Sequence, residues 1–263
     1  MSFHKSKNLK YYQFSNFGKD IKHGIFSRRG GVSLYPYKSL NIGGTVGDGS
    51  GNVIRNQTLM LNSLDLDSSS IYDCWQIHGT HVIRVDQPRD PGSPCPKGDA
   101  LITNNPDVTL LMRFADCTPI LLYDPVNMVI GIVHSGWLGT VSKIVKFAVE
   151  DMKQFYNCIP RNIIAGIGPS IGPDHYEVGK DVAEKVKETF GEMSKLVIGQ
   201  LKGKYYFNLW EANRLLLEYC GIRNIEISGL CTACHLTDWF SHRAEHGKTG
   251  RFGGVISLKG LYG

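Results

Sequence analysis

Apolar residues in this chain come in short clusters separated by turn-forming residues. Clusters rich in β-branched and aromatic side chains predict strands over residues 24–28, 71–78, 81–85, 109–115, 120–123, 128–134, 163–167, 225–230 and 252–257. Helical periodicity predicts helices over 53–63, 139–155, 181–190 and 209–220. The second is the most regular: Val141, Ile144, Val145, Ala148, Val149, Met152 and Phe155 fall along one side. Residues 87–98 hold four prolines and two glycines, which exclude helix and central strand and predict a surface loop. Strands and helices are mixed along the whole chain with no break in composition and no internal repeat. Several strands lie close enough to pair as hairpins. The pattern predicts a single domain over residues 1–263, of mixed α/β (α+β) class, with mixed sheets in preference to a doubly wound parallel one.

Composition narrows the function classes. The chain has 263 residues, 42% hydrophobic and 20% charged, which is the balance of a globular protein with a sizeable core. Its formal charge of +5 is spread along the chain without a dense basic run, so a nucleic-acid partner is not expected. No stretch approaches about 18 consecutive apolar residues, so no membrane span is expected. The N-terminal residues carry Lys5, Lys7 and Lys10 without an apolar segment and do not read as a signal peptide. The seven cysteines are scattered, and the natural setting is a reducing cytoplasm with thiols buried or bound to metal.

Three segments each end an apolar strand with a metal-competent side chain: Cys74-Trp75-Gln76-Ile77-His78-Gly79, Phe114-Ala115-Asp116-Cys117-Thr118-Pro119 and Ile130-Gly131-Ile132-Val133-His134-Ser135-Gly136-Trp137. A residue just past a buried strand is held firmly and still faces a cleft. His78, Cys117 and His134 would give a zinc ion two imidazoles and a thiolate and leave one position open, the arrangement of a catalytic site. Such a site can lower the pKa of bound water to about 7. The gaps of 39 and 17 residues match no short zinc motif, so packed, hydrogen-bonded residues are the plainer reading of spacing alone. His81 competes with His78, but residues three apart on a strand face opposite ways, so only one should reach the metal.

The order of further motifs makes the chain similar to a known family. Ser27-Arg28-Arg29-Gly30-Gly31, Ser39-Leu40-Asn41-Ile42-Gly43, Gly98-Asp99-Ala100, Gly166-Ile167-Gly168-Pro169-Ser170-Ile171-Gly172, Cys231-Thr232, Phe240-Ser241-His242-Arg243 and Thr249-Gly250-Arg251 join the three segments above. Together they resemble the bacterial YfiH/YlmD-type family, also labelled multicopper polyphenol oxidoreductase or laccase domain, over nearly the whole chain. The resemblance implies mixed sheets packed as a sandwich with helices outside, and His78, Cys117 and His134 as zinc ligands. It also implies phosphorolysis of adenosine, inosine and methylthioadenosine, with adenosine deamination, so purine nucleosides and phosphate are the expected partners.

The other motif residues carry alternatives. Arg28, before a Gly-Gly turn, can hold phosphate or sit in a solvated turn. Asn41 can bond ribose hydroxyls or hold the turn. Asp99 can orient a ligand histidine, or act on substrate by shuttling a proton. Asp116 is expected to be structural. Arg243 and Arg251 can close over an anionic ligand or form surface ion pairs. Two departures from the family pattern stand out: Leu138 where an Arg is usual, which removes a positive charge from the expected mouth of the site, and His242 where a Tyr is usual.

Three rival chemistries remain. A copper oxidase needs many histidines, largely as His-x-His pairs; this chain has nine histidines and no such pair, although one copper could substitute in a His-Cys-His site. Cys117 and His134 could form a thiolate–imidazole pair in a hydrolase, amidase-like, editing cell-wall precursors. A purely structural zinc would need a fourth ligand. Cys231-Thr232-Ala233-Cys234-His235 fits the haem-attachment pattern, but no export signal accompanies it, and an accessory metal site there lacks the second CxxC of a zinc ribbon.

Overall fold

Successive side chains of a strand point to opposite faces, and this period of two sorts the apolar residues into layers. The structure, a computed structural model, describes residues 2–6 and 8–259. One sheet runs, in spatial order, Ser2–Ser6, Leu9–Gln13, Ile21–Phe26, Phe252–Leu258, Thr109–Phe114 and Ile71–Tyr72. A second runs Asn224–Ile227, Ile164–Ile167, Thr118–Asp124, Val129–Ser135, Ala100–Thr103 and Val82–Arg84. Tyr12, Ile25, Met112, Phe114 and Ile256 of the first meet Leu101, Leu121, Tyr123, Ile130 and Ile132 of the second in the central core.

The neighbours of these residues face outward. Leu9, Tyr11, Phe26, Leu111 and Val255 pack under Met60 and Leu61 of the helix Ser50–Asn62. Ile102, Ile120, Leu122 and Val133 pack under the helix Ile144–Tyr156 and Leu217. The result is the expected sandwich of mixed sheets with helices on both outer faces. A three-stranded sheet of Glu177–Val178, Lys204–Phe207 and Ile198–Leu201, with the helices Lys180–Phe190 and Leu209–Tyr219, packs beside it.

Two expected elements differ. The strand predicted over 71–78 pairs only at Ile71–Tyr72. Beyond it the Gln76 side chain replaces the ladder: Nε2 donates to the Arg113 carbonyl at 2.8 Å, and Oε1 accepts from the Arg113 N–H at 3.0 Å. That releases the backbone to turn outward toward His78. The helix predicted over 139–155 divides into Trp137–Val141 and Ile144–Tyr156, with Lys143 left-handed at φ 62° between them. The break lets the first piece pack on the helices Lys180–Phe190 and Leu209–Tyr219 while the second lies along the sheet. Residues 87–98 form the expected irregular loop apart from one bridge at Lys97. Several strands carry no clear sequence signal, such as Ala100–Thr103, which is buried on both faces and therefore shows no alternation.

Candidate active site

His78, Cys117 and His134 come together as expected, with their donor atoms within 4.8 Å of one another. The rings of His78 and His134 lie edge to face at 4.8 Å between centroids. His134 is the next-to-last residue of the strand Val129–Ser135 and is buried. Cys117 sits in the tight connection between Thr109–Phe114 and Thr118–Asp124, directly after Asp116, whose φ is 81°. His78 itself is left-handed, with φ 60°. Non-glycine residues adopt this conformation only where the surroundings hold them in it.

Two carboxylates do that holding. Asp99, fully buried, accepts from the backbone N–H groups of Ile77, His78 and Gly79 at 3.2, 2.9 and 2.7 Å and from His134 Nδ1 at 2.9 Å. Burial pushes its pKa up, but His134 and these N–H groups outweigh that and hold it below the usual carboxylate range. An ionised Asp99 only accepts, so Nδ1 of His134 carries a proton; Nε2 is the nitrogen turned to Cys117 and, without its own proton, is the one that would bind a metal. Asp116 accepts from Thr232 Oγ1 at 2.6 Å and from the Arg243 N–H at 2.7 Å. Its role is structural, as expected, but it works through a turn and not through strand alternation. Gly136 keeps the floor clear, because a Cβ there would lie 2.8 Å from Cys117 Sγ.

The Cys117 thiol is half-buried, and its partial loss of water alone would raise its pKa. The His134 imidazolium and hydrogen bonds from both histidines outweigh burial and lower it. The same pair, with Asp99, raises the pKa of His134 against its own burial. The shift favours the thiolate of Cys117, the form that binds a metal, and a set of two imidazole nitrogens and one thiolate fits zinc or copper.

These three side chains form the floor of a cavity of about 600 Å³, a size that holds a small organic ligand. Trp75, Trp137 and Tyr176 bring aromatic rings to its lining, and Arg113, Arg243, Arg251 and His242 bring polar groups. Arg113 is paired with Asp73 at 2.6 Å. Arg243 donates to the Glu177 carbonyl and Arg251 to the carbonyls of Thr249 and Gly250, and neither pairs with a carboxylate among the described residues. Burial pulls the Arg251 pKa down, against Cys117 and Asp116, which favour its charge. Two guanidinium groups thus enter the cavity without an anionic side-chain partner.

Other expected site residues lie elsewhere. The Arg28 side chain is spent on the carbonyls of Lys38, Leu236 and Trp239 and on Glu245 at 2.9 Å, and it does not line the cavity. Asn41 is fully buried and binds Gly43, Asp48 and the Arg251 N–H, so it holds the turn and does not meet a ribose. Asp99 stands behind the histidines, outside the cavity lining, with its oxygens occupied by three backbone N–H groups and His134. His81 is exposed and outside the ligand cluster. Leu138 does not line the cavity, so the charge missing at this position lies outside its floor and walls. Arg113 and Tyr176 carried no sequence signal, since each lines the cavity beside residues distant in the chain.

Comparison with known proteins gives one consistent result. Residues 22–259 match the family model described as multi-copper polyphenol oxidoreductase laccase. "Purine nucleoside phosphorylase YlmD" of Bacillus subtilis is 34% identical over 94% of this chain and 92% of its own length. "Purine nucleoside phosphorylase" of Deinococcus radiodurans is 36% identical over 90% and 89%. The crystal structure of YlmD from Geobacillus stearothermophilus superimposes with a TM-score of 0.92 at 31% identity, covering 98% of this chain and 99% of that one.

Proposed function

Because the chain belongs to the family described as multi-copper polyphenol oxidoreductase laccase, with relatives named purine nucleoside phosphorylase, we propose that it cleaves purine nucleosides with inorganic phosphate at the cavity floored by His78, Cys117 and His134. The observation that carries this reading is the pairing of a His-Cys-His donor set with two guanidinium groups that have no carboxylate partner. In this reading the three donors hold zinc, with copper as a possible substitute, and the metal when bound supplies a Lewis acid at the cavity floor. Cys117 brings the thiolate, and Asp99 fixes the tautomer of His134. Arg243 and Arg251 hold phosphate, and Trp75, Trp137 and Tyr176 give a purine apolar walls.

In phosphorolysis a phosphate oxygen bonds to C1′ of the ribose while the C1′–N9 bond breaks and its electron pair leaves with the purine. The base takes up one proton, which His242 on the cavity wall is able to give. Adenosine, inosine and methylthioadenosine are the proposed substrates. Adenosine deamination, in which water adds at C6 and ammonia leaves, is proposed as a second activity of the same cavity. A cytoplasmic setting suits seven cysteines with no disulfide among the described residues.

A multi-copper oxidase does not fit: the two groups of described residues able to hold a metal contain no paired histidine ligands of the His-x-His kind. One observation favours a second reading. The Cys117–His134 ion pair is also that of a cysteine nucleophile, as in an amidase acting on cell-wall precursors.

One experiment separates the two. Purified protein is assayed with adenosine, inosine and methylthioadenosine, with and without phosphate, alongside metal analysis. Base release that requires phosphate and stops when metal is removed is expected. Activity that survives complete metal removal and is lost on thiol alkylation would overturn it in favour of the hydrolase.

A further inference from the structure

We propose that Asp174, His175, Cys231 and Cys234 form a second metal site, apart from the cavity floor, and that this site binds zinc. The sequence shows only half of it, a CxxC without a second CxxC. The fold supplies the other half from the loop that follows Gly172. A parallel bridge between Ser170 and Cys231 zips the two segments together: the Ser170 N–H donates to the Leu230 carbonyl and the Thr232 N–H to the Ser170 carbonyl. That register points the Cys231 thiol at the 172–175 loop, where it accepts the Gly172 N–H at 3.1 Å.

The donor atoms of all four residues lie within 4.8 Å of one another. His175 Nδ1 is 3.8 Å from Cys231 Sγ and 3.5 Å from Cys234 Sγ, and Asp174 Oδ2 is 3.6 Å from Cys234 Sγ. Ligands around a tetrahedral zinc, at about 2.3 Å for sulfur and about 2.0–2.1 Å for nitrogen or oxygen, are separated by roughly 3.4–3.8 Å. The observed spacings are those of such a tetrahedron. Asp174 Oδ2 and His175 Nδ1, at 3.0 Å, are slightly closer, as a hydrogen-bonded pair is.

Two thiolates, an imidazole and a carboxylate complete four-coordination, so this site is closed and structural in kind. Binding leaves every oxidation state unchanged: each thiol gives up a proton to solvent as its sulfur bonds the metal. A Cys231–Cys234 disulfide would need neither His175 nor Asp174, and the Gly172 N–H suits a thiolate acceptor. His235, the histidine of the haem-like pattern, is exposed and outside the cluster. The site also reaches the cavity. Thr232, beside Cys231, binds Asp116, which precedes Cys117 and holds the Arg243 backbone, while Tyr176 follows His175 into the cavity wall. Zinc there staples the wall from outside.

The test counts zinc by elemental mass spectrometry in protein purified with reductant and without chelator. Wild type should hold one zinc per chain more than C234S. C117S should keep that additional zinc, which separates this site from the cavity floor even if the floor holds no metal. On wild type alone, chelator treatment should raise the rate of Cys234 alkylation about tenfold, because a metal-bound thiolate is shielded. Cys220, half-buried and outside both groups of metal-competent residues and the cavity lining, should alkylate at an unchanged rate. Equal zinc in wild type and C234S would overturn the proposal, as would Cys234 labelling indifferent to chelator. So would a Cys231–Cys234 disulfide in protein that has never lost zinc. If C234S fails to fold, the labelling result decides.

Discussion

Asp99 receives three consecutive backbone N–H groups and the Nδ1–H of His134, so one carboxylate fixes two of the three candidate ligands. In D99N the amide NH2 would face donors it cannot accept from. On the proposed reading of the floor as a zinc site, its zinc affinity should fall about 10–100-fold, read by competition with a chelator of known affinity; an unchanged affinity would remove Asp99 from that reading. His23 offers a cleaner titration, remote from any metal ligand. Burial lowers its pKa from 6.5 to about 4, and its Nε2 accepts the Phe14 N–H at 2.9 Å. The unfolded chain therefore binds the proton first. Stability from this group is complete above about pH 6.5 and is lost as pH falls toward 4, by about 3 kcal/mol in all. The melting temperature of H23Q should decline less than that of wild type between pH 7 and 4; parallel curves would contradict this. At this scale His78, Cys117 and His134 were legible because each closes an apolar run. Arg28 was not, because a sequence shows a charge and not the carbonyls that occupy it. His175 was invisible as a ligand because its cysteine partners lie 56 and 59 residues away.

The secondary-structure elements hold the site through side chains that imitate backbone. Gln76 does so for the missing strand, and Asn213 does so between helices. Its Oδ1 accepts from Ser135 Oγ at 2.8 Å, and its Nδ2 donates to Thr140 Oγ1 at 3.2 Å and to the Leu209 carbonyl at 2.8 Å, all in the buried interior. The helix Leu209–Tyr219 is thus tied to the turn directly after His134. N213A would take one buried hydrogen bond each from Ser135, Thr140 and the Leu209 carbonyl, leaving the two hydroxyls to each other and to the Gly136 carbonyl. It should destabilise the fold by about 1–3 kcal/mol, measured by denaturant unfolding. A change within about 0.5 kcal/mol, the range of ordinary surface substitutions, would argue that water replaces the amide. Strand and helix positions were legible where one face is buried and one is wet. They were lost where both faces are buried, as in Ala100–Thr103, or where a side chain ends a ladder, as at Gln76.

For the whole molecule, the cavity gathers walls from residues 43–45, 73–76, 78, 95, 113, 115–117, 134, 137, 176, 242, 243 and 251, so occupation of the site bears on global stability. Phosphate at about 100 times its dissociation constant should stabilise the fold by about 2.7 kcal/mol, seen as a rise in melting temperature. Chelation should lower that temperature, and no shift with either treatment would deny that the native state binds them. The sandwich was legible from alternation; the closeness of residue 41 to 251, or of 28 to 245, was not, because no local rule encodes it. The position of Phe252–Leu258, flanked on one side by Ile21–Phe26 and on the other by Thr109–Phe114, has a consequence in time. While the ribosome is still short of residue 258, those two strands lack their shared neighbour, and Ile25, Phe26, Leu111 and Met112 have no completed sheet to enter. The nascent chain must keep early apolar strands from pairing wrongly until late synthesis, and a cell short of chaperones should lose this protein to aggregation before it loses one built from local hairpins.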